Sequence, residues 1–408
     1  MIELAPGAAI DWAAVMAYLE PIVPVAELAE TPQDAAFHAE GDVWTHTRMV
    51  LEALVDSAPY AALPPVERSI VATAALLHDV GKPSTTRLDG DKFARSGLPD
   101  RAAPPEGGAK GKWTSRGHSA RGEHIVRVAL WRQDAPFALR EHVCRLIRYH
   151  QIPFFGITKP DADRLAIRLS LVTRNDWLAQ VADADGRGRR CTDPADQVRI
   201  VDHCALWIEH ARELDVLTRP RRFATPHTRR VWLESESRHP DVPAHDDTTC
   251  EVVLLSGLPA AGKDTWLRSH RPDLPVISLD ELRGELEVDP ADPQDRVIAA
   301  AREQAREYLR AGTSFAWNAT NLTASLRAQL LELFRSYRAR THLVYCEATA
   351  AQQHERNRAR RDPVPAAVIR RMLERWTVPD PTEAHELTIH TAGAPVLPAW
   401  PPTHEIPM

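Results

Sequence analysis

The run GLPAAGKDTW at residues 257–266 carries the clearest chemistry in the chain. An apolar stretch, EVVLLS at 251–256, leads into it and a helical pattern follows. In a phosphate-binding loop, glycines let backbone N–H groups point inward at phosphate oxygens, a lysine reaches the β and γ phosphates, and the next helix adds its positive N-terminal dipole. Gly257, Gly262 and Lys263 therefore predict binding of a nucleoside triphosphate. The position after the lysine ordinarily carries the Ser or Thr hydroxyl that meets Mg²⁺. Here it is Asp264, and the hydroxyl arrives one residue later at Thr265. An aspartate can hold the ion directly or through water.

Two further groups extend this set. Asp280, in VISLDELR, follows a strand pattern and so stands across the crevice from the loop, where open α/β sheets bind ligands. It is placed to accept the proton of an attacking hydroxyl while Lys263 and a metal stabilise the transferred phosphoryl group; it also reads as the N-cap of the following helix. Arg356 and Arg360, in HERNRARRDP, are four residues apart and would share one helix face, an arrangement suited to clamping phosphate oxygens. An ordinary basic surface helix has the same pattern.

A second constellation lies upstream. His78-Asp79 ends an apolar helix in AALLHDVGKP, with His46 in VWTHTRMV before it and His118 in RGHSARGEH, His150 in RLIRYHQ and Asp183 in VADADGR after it. Taken singly, each histidine reads as a surface or hydrogen-bonded core residue. Together, imidazoles and carboxylates from several helices suit a divalent transition metal such as Mn, Co, Ni, Zn or Fe, which activates water for attack on phosphorus. Lys82 reads either as a phosphate contact or as a solvated helix-cap lysine.

The elements that must position these groups change in kind along the chain. Apolar residues recur at three and four spacing over 12–19, 43–54, 66–77 and 138–147, which predicts a helical region at about 1–217. Residues 89–117, rich in Gly, Lys, Pro and Ser, predict a long exposed loop. Residues 218–249 read as a linker or small bridging element. Beyond them, strand runs at 251–255, 275–279, 314–317, 341–346 and 387–390 alternate with helical runs at 263–269, 296–311, 326–336 and 350–361. That alternation predicts βαβ units and a parallel sheet over 250–392, followed by a Pro-rich tail at 393–408.

On these residues the N-terminal half resembles the HD phosphohydrolase superfamily, in particular the HD domain appended to bacterial tRNA nucleotidyltransferases, through HT, LLHDxGK, GHxxRG and ADAxGR. The resemblance implies core metal ligands at His46, His78, Asp79 and Asp183. It implies a second metal or the substrate phosphate at His118 and His150, with His142 a neighbour able to replace His150. GxPxxGKxTW, SLDxxR, the NATNL segment at 318–322 and RNxxR before VP resemble the kinase domain of end-healing polynucleotide 5′-kinases. That likeness implies Asp280 as general base, Arg283 as its orienting partner, and Arg356 and Arg360 as contacts to the NTP phosphates. The NATNL segment lacks an acid ahead of Thr320. The fusion as a whole resembles the bacterial HD-Pnk family, implying a multidomain enzyme with an all-α HD domain and an α/β P-loop kinase. The expected activities are NTP-dependent phosphorylation of RNA or DNA 5′-OH ends and metal-dependent removal of 2′-, 3′- or 2′,3′-cyclic phosphates, with a ligase acting downstream.

Composition is compatible with this. The chain has 408 residues, a net charge of −6 and a pI near 6.3, which excludes a globally basic nucleic-acid coat and requires any polyanion to be met by a local cleft. Arginine runs at 187–190, 219–222 and 229–230 are candidates to line one. Five cysteines without a CxxC pattern indicate neither a disulfide framework nor a zinc knuckle, and no window predicts a membrane span or leader, so a soluble cytoplasmic enzyme is expected. Two rival readings are a small-nucleotide kinase fused to an HD nucleotidase, and a regulatory module in which ATP controls a degenerate HD domain.

Overall fold

The helix expected over 66–77 runs Pro65–Leu77, and every residue from Ile70 to Leu77 is buried. A helix apolar all round belongs at the centre of its unit. In the computed structural model, which describes residues 1–89, 112–289 and 292–391, it does. The helices Val43–Val55, Phe137–Tyr149 and Asn175–Arg187 pack around it, and His118–Arg132 lies against Phe137–Tyr149. The chain divides into two compact units, the first formed by Met1–Arg221 and the second beginning at Arg222.

Close approach of backbones brings the helix ends together in the first unit. Gly81, in the turn after His78-Asp79, has no room for a side chain: a Cβ there would lie 2.1 Å from the His118 carbonyl oxygen and 2.7 Å from the Gly122 nitrogen. Gly188, which caps the Asn175–Arg187 helix, would put a Cβ 2.5 Å from the Val50 nitrogen. These two contacts set the spacing of the turn and helices that carry His46, Asp79, His118 and Asp185. Buried charge fastens the periphery. Arg127 donates to both oxygens of Glu141 at 2.8–3.1 Å, and Arg140 donates to the same carboxylate at 2.8 Å. Burial would raise the Glu141 carboxyl, but Arg127 and Arg140 outweigh it and hold the pKa down at about 2.

The expected long loop is anchored by a two-residue antiparallel pairing of Arg87–Leu88 with Trp113–Thr114. Its interior, and the tail expected at 393–408, lie outside the described residues. The segment expected as a linker contains the helix Pro226–Glu234, capped by Thr225. Arg229 and Arg230 donate from this helix to the carbonyl oxygens of Thr382, Glu383 and His385, so it is part of the second unit. A guanidinium with several donors can satisfy several carbonyls at once, which is why an arginine-rich stretch that looks like linker packs here.

The second unit is a five-stranded parallel sheet. Across the sheet the strands run Val276–Ser278, Phe315–Asn318, Cys250–Ser256, Ala339–Glu347, Glu386–Thr391. Successive side chains of Cys250–Ser256 point to opposite faces, so Val252 and Leu254 join one apolar cluster with Phe315 and Trp317 while Val253 and Leu255 join another with Ala316 and Val344. Both faces are therefore covered, as an all-parallel sheet requires.

Because Gly81 and Gly188 meet backbone rather than movable side-chain ends, Gly81→Ala and Gly188→Ala should each destabilise the first unit by about 1–3 kcal/mol. Chemical denaturation should show a lowered midpoint for both, whereas Gly284→Ala, with nothing within 4 Å, should leave it within error.

Candidate functional site

The C-terminal end of the Pro65–Leu77 helix delivers His78 and Asp79 into the middle of the first unit, where the negative end of the helix dipole favours a cation. Three histidines there share one device. His78 Nδ1 bonds the Ala75 carbonyl at 2.7 Å, His118 Nδ1 that of Ser115 at 2.8 Å, and His150 Nδ1 that of Ile147 at 2.8 Å. A carbonyl only accepts, so each Nδ1 carries a proton, and in the neutral ring the lone pair falls on Nε2.

Those Nε2 atoms converge on two buried acids. His78 Nε2 lies 3.1 Å from Asp79 Oδ2, His118 Nε2 3.4 Å from Asp79 Oδ1, and His150 Nε2 4.0 Å from Asp185 Oδ2. His46 Nε2 is 3.1 Å from Asp185 Oδ1 and 3.9 Å from Asp79 Oδ2. His78 Nε2, His150 Nε2 and Asp79 Oδ1 are buried and make no hydrogen bond, while Asp79 Oδ2 is met by the Lys82 ammonium at 2.7 Å. Such orphaned donor atoms are costly unless something binds them. His46, His78 and Asp185 form one set whose ligand atoms lie within 4.8 Å of one another, and Asp79, His118 and His150 form a second. This imidazole and carboxylate set fits a divalent transition metal.

The acid contributed by VADADGR is Asp185 rather than Asp183. Two residues apart on a helix is about 200° of rotation, so only one of them faces the histidines. Asp185 is 1 % exposed, whereas Asp183 points outward and pairs with Arg187 at 2.7 Å. His142 is not in the cluster either; it packs edge-on against Trp177 at 5.1 Å. Lys82 is buried, 2.7 Å from Asp79 Oδ2, and donates to Gln33 Oε1 at 2.6 Å, which removes the solvated-cap reading.

Other participants carry no spacing signal in the sequence. Glu40 lies 2.9 Å from His46 Nδ1 and 2.9 Å from His38 Nδ1, so it orients the His46 ring from behind. Arg189, buried inside the run 187–190, pairs with Asp185. Burial acts to raise both central acids, yet His78 and Lys82 hold Asp79, and Arg189 and His46 hold Asp185, well below the usual carboxylate range. Burial drives His150 down to about 3, so its ring is neutral at physiological pH. A cavity of about 360 Å³ opens beside this cluster, lined by Lys82, His118, Arg189, Lys112, Trp113 and Arg116.

The second unit gathers the phosphate-loop residues as expected. Lys263 Nζ donates to the carbonyl oxygens of Gly257 and Leu258 at 3.0 Å, and Gly257 and Gly262 hold φ of +147° and +101°. The loop is stapled from beneath: Asn321 donates to the Leu255 carbonyl at 2.6 Å, and Gly257 N donates to the Thr320 carbonyl at 2.9 Å. Asp264 accepts from Asn318 Nδ2 at 2.6 Å, and Thr265 is exposed on the helix beside it.

Ser278, not Asp280, caps the helix Leu279–Glu285, leaving Asp280 in its first turn with a side chain 74 % exposed. Arg283 donates to Asp280 at 2.6 Å and to Gln294 at 2.9 Å, so the acid is braced on one side and open on the other. The helix carrying Arg356 ends at Arg358, so Arg356 and Arg360 do not share a helix face. Asn357 makes the difference, bonding both backbone groups of Val364 at 2.9–3.1 Å and folding the 358–364 loop back. Arg356 still comes within 4.0 Å of the Cβ position at Gly262, and the charge of Arg360 acts on Lys263.

Residues 43–203 match the family model of the HD domain, and residues 252–379 match that of an AAA domain. The chain joins a helical HD phosphohydrolase domain to a P-loop kinase-like domain. Such a pair implies phosphohydrolase and phosphotransfer activity, with a divalent metal in the HD domain and an NTP with Mg²⁺ at the P-loop. No curated protein matches the chain. Among solved structures, a provisionally named kinase from Chloroflexus aurantiacus is 19 % identical over 36 % of this chain and 86 % of its own, with a TM-score of 0.30. Kti12 from Chaetomium thermophilum in complex with ADP-AlF3 is 16 % identical over 35 % of this chain and 89 % of its own, with a TM-score of 0.27. A sugar kinase from Janibacter sp. is 16 % identical over 35 % and 85 %, also with a TM-score of 0.27. Among the described residues, no helix is long and apolar enough to cross a membrane.

The two aspartates of the HD domain separate cleanly by mutation. Asp185→Ala should abolish phosphatase activity and lower bound metal, measured by elemental analysis of the purified protein, while Asp183→Ala should keep both within about twofold, as expected for an exposed pair worth little.

Proposed function

We propose that the chain is a cytoplasmic end-healing enzyme that phosphorylates 5′-OH ends of RNA or DNA and removes 2′-, 3′- or 2′,3′-cyclic phosphates, preparing ends for a ligase. The exposure of Asp280 carries this reading. A kinase for small acceptors encloses its acceptor to exclude water, whereas a polynucleotide end must reach the acid from open solvent with its chain trailing behind. Asp280, braced by Arg283, is open in this way.

In the kinase step Asp280 takes the proton of the 5′-hydroxyl as its oxygen attacks the γ-phosphorus, and the bond to the β-phosphate oxygen breaks to release the nucleoside diphosphate. Lys263, Arg356 and Arg360 neutralise the charge that develops. Mg²⁺ bound with the nucleotide would supply further neutralising charge there. In the HD domain, the ionised Asp79 and Asp185 and the lone pairs of His46, His78, His118 and His150 would hold a divalent metal, whose chemistry is water activation. Lys82 and Arg189 sit where they can meet the phosphate, and Lys112 and Arg116 at the cavity are placed for a neighbouring phosphodiester. The complete buried ligand set argues against a degenerate, purely regulatory HD domain.

Offered γ-labelled ATP, the protein should transfer label to a 5′-OH oligonucleotide; label entering nucleosides alone would sink the end-healing reading in favour of a small-nucleotide kinase. Lys263→Ala and Asp280→Ala should each abolish transfer and spare the phosphatase, and Asp79→Ala should do the reverse.

A further inference from the structure

In P-loop enzymes the Mg²⁺ beside the triphosphate is met by a neutral hydroxyl one residue after the lysine and by a carboxylate carried on a strand of the sheet. Here that hydroxyl is missing, and the acid that ends one strand beside the P-loop strand, Glu347, is buried and accepts from the Tyr345 hydroxyl at 2.6 Å. The residue after Lys263 is the carboxylate Asp264, and the neighbouring strand Phe315–Asn318, which pairs directly with the P-loop strand, ends in an amide. The two side chains meet: Asn318 Nδ2 donates to Asp264 Oδ1 at 2.6 Å. Because a carboxylate only accepts, the amide NH₂ must face it, and this leaves Asp264 Oδ2 and Asn318 Oδ1 outside that bond, two oxygen donors of the kind Mg²⁺ takes.

We propose that Asp264 and Asn318 have exchanged roles, with Asp264 carrying the single negative charge of the ion site and Asn318 positioning it. The charge offered to the ion is the same as in the usual arrangement, one carboxylate and one neutral oxygen ligand, but its carrier has crossed from the strand end to the first turn of the helix. Thr265 does not replace the missing hydroxyl, because one residue further along a helix is a rotation of about 100°. The inference rests on the nucleotide-binding reading of this unit and is independent of the acceptor.

The test is a reciprocal exchange: Asp264→Ser, Asn318→Asp and the double variant, each assayed by calorimetry for ADP affinity with and without Mg²⁺, and by electron paramagnetic resonance of Mn²⁺. The wild type should bind ADP at least about tenfold more tightly with Mg²⁺ than without it. Asp264→Ser removes the charge and should lose that enhancement while keeping metal-free ADP affinity, which also reports that the loop is folded. Asn318→Asp sets two carboxylates side by side and should retain Mn²⁺ without nucleotide. The double variant should recover the Mg²⁺ enhancement to within about threefold of wild type, since distant errors do not cancel but exchanged partners do. A double variant no better than the worse single, or an Asp264→Ser protein with full enhancement, would overturn the exchange. A wild type that binds no ADP under either condition would overturn the nucleotide-site reading along with it.

Discussion

Two carboxylates buried among helices are the constraint on which the first unit depends. Asp79 and Asp185 are nearly inaccessible, and an ionised acid in such a place is tolerable only with counter-charge and hydrogen-bond donors around it. Lys82 and Arg189 supply the fixed charge. His46 adds a hydrogen bond to Asp185 at 3.1 Å, whereas His78, His118 and His150 commit their Nδ1 protons to carbonyls of their own helical turns. The unit thus spends stability to hold lone pairs dry and aligned. The central all-apolar helix and the backbone contacts at Gly81 and Gly188 supply the rigidity that prevents the cluster from relaxing outward.

The second unit solves a different problem with a different degree of exposure. Its lysine and loop are fixed from below by Asn321, Thr320 and the strand ends, while the acid that would take a proton stands 74 % exposed on the opposite lip. Preorganisation here resides in bonds between loops. Asn357 closes the 358–364 loop, Arg283 and Gln294 brace Asp280, and Asn318 fixes Asp264. Side-chain amides are suited to this because each offers both a donor and an acceptor without adding charge to a site that must receive a polyanion.

Sequence periodicity located the elements well, since apolar spacing is a direct consequence of which face is buried. The helices over 12–19 and 66–77 and all five strands of the sheet lie where the pattern places them, to within a residue or two. Site residues were legible when a backbone rule fixes them, as with Gly257, Lys263 and the His78-Asp79 pair. Asp183 and Asp185 were not separable that way, because both sit in a short acidic motif and only packing decides which face turns inward. Glu40 and Arg189 had no spacing to betray them: Glu40 precedes the helix it supports, and Arg189 was one of several arginines in a run. The pairing of Arg356 with Arg360 was expected from a helix that in fact ends at Arg358, where a loop held by Asn357 does the positioning.

The contrast in exposure also constrains what each domain can accept. At the HD cluster a cavity of about 360 Å³, a space on the scale of a ligand-sized pocket, opens beside the histidines and is lined by Lys82, Arg189, Lys112 and Arg116. Its charge is mixed, since Asp34 also lines it and pairs with Lys112 at 3.2 Å. At the P-loop unit, by contrast, Asp280 stands open to solvent. That contrast fits the two chemistries, because hydrolysis needs only the phosphate and a water at the metal, whereas transfer must keep water away from the γ-phosphate while still admitting an acceptor hydroxyl.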